Sequence, residues 1–190
     1  MEKQGKFRTQ YSKKLEDFFF LKQDAILMEE FHRMERMKET KESLAKVSGI
    51  TNDEILQKFV DLDIRPETVA SLALIPLIEV AWADGKVDEK EKAAVLDAAA
   101  KSFFAKDSID FKLLSQWLEH RPSSSLLDAW THYIKGLCEM LTAAQKAILK
   151  NELIGHARQI AQAAGGFLGL GSRISEAERR TLEYLESVFD

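Results

Sequence analysis

Three carboxylates, Asp84, Asp88 and Glu91, fall within eight residues of one another around the turn of the segment IEVAWADGKVDEKE, residues 78–91. Carboxylate oxygens suit hard divalent cations, and three of them converging across one turn would offer a site for Ca²⁺, Mg²⁺ or Mn²⁺. The same residues have a structural use. Gly85 suits a left-handed turn after a helix, and Asp88 followed three residues later by Glu91 is a capping box for the next helix. Both readings stand on the sequence alone. An EF-hand does not: a 12-residue loop opened at Asp84 puts Glu89 where the invariant glycine belongs and Val95 where the bidentate glutamate belongs. Nearby, Glu79 interrupts the apolar run LALIPLIEVAW. A carboxylate there must reach water beside Pro76, pair with a cation, or join Asp84 in a site, because burying an unpaired charge is costly.

Other familiar chemistries lack their residues. His32, His120, His132 and His156 are never three or four positions from one another or from Cys138, so short-range zinc spacings are missing. A single cysteine makes no internal disulfide and fits a reducing cytoplasm. Ser123, Ser124 and Ser125 read as a loop after Pro122, with no Gly-x-Ser-x-Gly elbow. GGFLGLG, residues 165–171, lacks the preceding strand and the Lys and Ser or Thr of a phosphate loop. It reads as a connector whose Phe167, Leu168 and Leu170 dock on the fold or meet a partner. No general acid and base pair emerges from spacing, so the expectation is a protein that is not an enzyme.

The elements that must position these residues are helices. Apolar residues make up 45% of the 190 positions and charged ones 31%, with only 9 Gly and 3 Pro, which describes a folded chain and excludes collagenous and largely disordered classes. Apolar spacings of three and four recur throughout, and β-branched runs between turn residues are missing, so the chain reads as all-α, a compact bundle of about eight helices. Two units are expected: a charged helical arm over residues 1–48, mostly one long helix from Tyr11 to Val47, and a compact domain over 49–190. Capping boxes at Thr51/Glu54, Asp88/Glu91, Thr142/Gln145 and Ser175/Glu178 place helix starts near residues 52, 89, 143 and 176. Pro66 opens a helix running to about Ala83, and its middle, residues 69–82, is apolar nearly all round, as befits a central helix. Pro76 inside it removes a hydrogen bond to the Leu72 carbonyl. Residues 81–96 and 162–182 are weakly alike, which suggests a duplicated helical hairpin.

The segment 78–91 also resembles the tellurite-resistance TerB-like family, through Ala83, Asp84 and Gly85, the apolar Val87 and the Glu91 that follow, and the apolar helix before them. The likeness extends over about residues 66–190. It implies an all-α domain with clustered acidic side chains that bind a divalent cation, to which Asp84 and Glu91 correspond, in proteins tied to stress responses and often to membrane-associated assemblies. In the second hairpin Gly165 and Gly166 stand where the aspartate would be, so only Glu178 corresponds. Protein partners follow from either reading, through a cation-bearing domain or through a metal-free module that uses the arm and the glycine-rich loop. Pairing of two arms would give a homodimer. The net charge of −4 supplies no field for nucleic acid, although the first 14 residues carry five basic side chains against one acid. No uninterrupted apolar stretch reaches the length of a transmembrane segment.

Overall fold

The computed structural model of the chain describes residues 40–106, 108–165 and 174–190, and among them all regular structure is helical. Eight helices are described: α1 (Lys41–Ser48), α2 (Asp53–Asp61), α3 (Pro66–Ala81), α4 (Glu89–Ser102), α5 (Ile109–Glu119), α6 (Ser125–Cys138), α7 (Ala143–Gly165) and α8 (Glu176–Ser187). The basic tip of the arm and most of the GGFLGLG connector lie outside the described residues.

Side chains only three residues away define most helix starts. Asp88, Thr142 and Ser175 each accept the amide three residues on and have their own amide taken by the Glu or Gln there. Ser108 caps α5 by accepting from the Phe111 amide at 3.4 Å. The expected cap at Thr51 is displaced by one residue: Asn52 Oδ1 accepts the Ile55 amide at 3.1 Å. Asn is at least as good a cap as Thr. Thr51 and Glu54 turn instead to α7, Thr51 Oγ1 lying 3.5 Å from Glu152 and Glu54 accepting from Gln145 at 2.8 Å.

A second correction concerns the arm. The long helix expected up to Val47 does not pass through Thr40, which is extended and caps α1 in a box with Ser43. Serine at the third position, in place of Glu or Gln, hid this start. Leu44 and Val47 of α1, with Ile50 just after it, are buried, so residues 41–48 belong to the packed domain and not to a charged arm.

α3 lies at the centre, touched by α1, α5, α6, α7 and α8. Only Glu79 and Ala81 of its 16 residues escape full burial. Its run from Val69 to Ile78, apolar but for Ser71, demands neighbours all round, and five helices supply them. Pro76 leaves the Leu72 carbonyl without its usual amide, and the indole N–H of Trp130, from α6, donates to that oxygen at 3.2 Å. A buried carbonyl orphaned within its own helix is thus satisfied by a side chain 58 positions away. Trp117 and Trp130 are core residues, whereas Trp82 is only half-buried at the end of α3.

Candidate functional site

The corner between α3 and α4 is built by local rules. α3 ends at Ala81, the Ala83 and Gly85 amides fold back on the Val80 and Trp82 carbonyls, and Gly85 takes φ 90°. A side chain at Gly85 would meet nothing within 4 Å, so conformation and not space favours glycine there. Asp84 Oδ1 accepts the Lys86 amide at 3.2 Å. Asp88 Oδ1 accepts the Lys90 and Glu91 amides at 2.8 and 2.9 Å, and Glu91 Oε2 accepts the Asp88 amide at 2.9 Å. The Glu91 amide bond, followed by the one from Lys90, holds the Asp88 carboxyl below the usual carboxylate range even though the side chain is exposed.

All three sequence-predicted ligands are therefore at the corner, and each has an oxygen committed to backbone amides on its own side of the turn. Among the described residues no three His, Cys, Asp or Glu side chains are grouped to hold a metal ion. A cation at this corner would be met by the second oxygens of Asp84, Asp88 and Glu91, since the first ones serve the turn and the capping box.

Beside the corner, α5 is pinned to α4 by the ion pair of Lys92 with Glu119. Arg121, just past α5, reaches back over α3. Its guanidinium lies 5.9 Å from the centre of the Trp82 ring and 3.9 Å from Glu79 Oε2. The Trp82 ring is fixed by its N–H bond to the Trp117 carbonyl at 3.0 Å. Glu79 keeps 16% of its side chain exposed, and burial pushes its carboxyl up while Arg121 pulls it partly back. Of the three fates open to it in the sequence, Glu79 takes a loose pairing with a cation at the bundle edge.

A second polar group lies inside, around the C-terminal end of α1. Asp110, in the first turn of α5, is 1% exposed, and its Oδ2 has no hydrogen-bond partner. Burial raises its carboxyl to about 6, against smaller opposing effects from its own amide, Ser108 and Lys46 of α1. His156 of α7 stacks on Phe103 with ring centres 3.8 Å apart. Its Nε2 is 3.6 Å from Glu152, its Nδ1 is buried without a partner, and burial lowers it to about 4. Gly49, at φ 69°, lies close to both rings: a Cβ there would be 3.2 Å from Phe103 and 3.5 Å from His156. From sequence, Asp110 is a candidate cap and His156 an ordinary histidine. The available signals were Ile109 and Phe111 flanking the aspartate, and Leu153 and Ile160 at helical spacing from the histidine. His120 and His132 are exposed.

Compared with family models, curated proteins and solved structures, the chain finds no match in any of the three. Among the described residues no helix is long and apolar enough to cross a membrane.

Proposed function

We propose that the chain is a non-enzymatic, TerB-like cytoplasmic module that works by holding protein partners in a stress-related, membrane-associated assembly. The observation that carries this reading is the state of the corner. Its carboxylates serve α4 and the turn, while the side chains of Asp84, Lys86, Glu89 and Lys90 stand exposed on a backbone fixed by capping. A rigid turn displaying both signs of charge suits recognition of a complementary protein surface, where such groups set specificity and encounter rate. α1 adds support, since it anchors the end of the arm in the core, so that anything gripped by the preceding residues is mechanically joined to the bundle.

The test is a truncation ending before Thr40, because a longer one would remove Leu44 and Val47 from the core. Sedimentation and cross-linking are compared for the full chain, the truncated chain, and the full chain carrying Lys86→Glu and Lys90→Glu. Loss of self-association on truncation, or loss of a cross-linked partner in either variant, supports the reading. Unchanged assembly in both removes it.

A cation-binding function for Asp84, Asp88 and Glu91 is the second reading. It is favoured by the oxygen of each carboxylate that stays outside the capping bonds. An ion held at 100 times its dissociation constant would stabilise the fold by about 2.7 kcal/mol. Thermal melts with Ca²⁺, Mg²⁺ and Mn²⁺, on the native chain and on Asp84→Ala, read this directly.

A further inference from the structure

α3 ends on a carboxylate and an aromatic ring. Glu79 and Trp82 are three residues apart, so they share one side of its C-terminal end, and the last turn carries no basic residue of its own. Both groups are held in place. Glu79 stands on the helix with its side chain 16% exposed, and the Trp82 ring is fixed by its N–H bond to the Trp117 carbonyl. The carbonyls that end a helix add partial negative charge. A carboxylate beside an aromatic face at such an end is suited to a cation, and the guanidinium of Arg121 now lies there. It sits loosely. At 5.9 Å from the ring centre it is at the outer limit of a cation–π contact, and at 3.9 Å from Glu79 Oε2 it is beyond hydrogen-bond length. The Arg121 side chain is 50% exposed, and its residue follows α5 outside any helix. Glu119, the acid two positions before it, is engaged by Lys92 of α4.

We propose that Glu79 and Trp82 form a recognition site for the guanidinium of a partner protein's arginine, and that Arg121 plugs this site from within until such a partner displaces it. The receptor is the rigid half of the arrangement and the plug is the loose half. A guanidinium arriving from outside is free to meet Glu79 with two parallel N–H···O bonds of about 2.7–2.9 Å while its plane lies on the indole face, a closeness that Arg121 does not reach. Burial, which pushes the Glu79 carboxyl up, makes a near cation worth more than the present distant one. Arginine suits the site better than lysine, because its planar fork matches a carboxylate and stacks on a ring, whereas an ammonium is a compact, strongly hydrated charge. That the captured arginine belongs to a protein partner rests on the partner-binding reading; the affinity of Glu79 and Trp82 for a guanidinium does not.

The test is a titration of the full chain and of Arg121→Ala with N-acetylarginine amide, following the indole N–H signal of Trp82 by NMR. N-acetyllysine amide and sodium chloride serve as controls for charge alone. In Arg121→Ala the signal is expected to shift saturably in the millimolar range. The native chain should need about tenfold more ligand, as a plug in place roughly nine-tenths of the time would require. The lysine analogue should bind more weakly, and the double variant Arg121→Ala, Glu79→Gln should lose the response. No saturable shift in Arg121→Ala would overturn the site, as would a response that survives Glu79→Gln or is matched by sodium chloride. Equal half-saturation in the native chain and Arg121→Ala would overturn the plug. If Arg121→Ala does not fold, the native chain decides: a saturable Trp82 shift that Glu79→Gln abolishes is expected, and none in the millimolar range stands against the proposal. Binding of the arginine amide alongside assembly unchanged by truncation or by Lys86→Glu and Lys90→Glu would keep the site and remove its use in partner capture. Altered assembly without binding would do the reverse.

Discussion

The α3–α4 corner and the interior around α1 and α3 handle polar groups in opposite ways. At the corner Asp84, Asp88 and Glu91 each bond to an amide two or three residues away, with their shape set by the backbone. In the interior, the Leu72 carbonyl depends on Trp130 from a distant helix, while Asp110 and His156 each keep one atom without a partner. Local satisfaction is robust and individually modest in energy. Interior satisfaction concentrates larger free energies on single contacts, because water is not there to replace a lost partner.

The contrast predicts a hierarchy of effects. The largest belongs to Trp130→Phe, which leaves the Leu72 oxygen buried and unpaired and removes ring volume; urea melts should show a loss of about 2–3 kcal/mol. In a Pro76→Ala background the restored amide can satisfy that oxygen, so the same change should be milder by roughly 1 kcal/mol. Equal losses in both backgrounds would break the link between the proline and the tryptophan.

Next come the buried titrating groups. The Asp110 carboxyl is raised from 3.8 to about 6, so the stability it contributes is present below 3.8 and lost as pH rises through 6. His156 is lowered from 6.5 to about 4, so its contribution is present above 6.5 and lost as pH falls toward 4. Within that window the two slopes oppose. Asp110→Asn should gain on the order of 1 kcal/mol over the native chain at pH 7.5 and little at pH 4. His156→Phe should gain relative to the native chain at pH 4–5 and not at pH 7.5. Urea titrations of the three proteins across pH 4–8 measure both, and parallel curves would show that burial does not govern these groups.

Smaller effects are expected where capping is local. Ser175→Ala should lose about 1 kcal/mol, a typical value for one cap. Asp88→Ala should lower the melting temperature by a few degrees and shorten α4 by its first turn, seen as faster amide exchange at Lys90 and Glu91. Losses larger than that of Trp130→Phe would invert the comparison.

The same contrast explains what the sequence disclosed. A cap and its partner are three residues apart, so the starts of α4, α7 and α8 and the Gly85 turn were readable without any knowledge of neighbours. Pro66 at the start of α3 was readable for a similar reason: its fixed φ and missing amide suit only a first turn. Asn52 displacing Thr51 and Ser43 closing the box on Thr40 lie at the edge of this legibility, because several short polar side chains compete for one end. The all-α class and the central place of α3 followed from periodicity and from an apolar run too complete for a surface helix. Spacing did not show that Trp130 answers Pro76, that Asp110 turns inward while Ser108 caps, or that His156 meets Phe103 and Gly49, since these pairs are joined only by the fold. Membership of the acidic trio was legible, but its geometry was not, because carboxylates with cap spacing and carboxylates with ligand spacing look the same until their hydrogen bonds are seen.

We propose that Asp84, Asp88 and Glu91 serve the backbone and not a shared ion, and this is tested most directly by titrating Mn²⁺ into isotopically labelled protein and following amide line widths. The account predicts weak broadening at the corner, no greater than around the exposed glutamates of α8 and not saturating near about 1 mM, the range of weak built sites. Selective, saturable loss of the amide signals of residues 84–91 at lower Mn²⁺, abolished in Asp84→Ala, would contradict it.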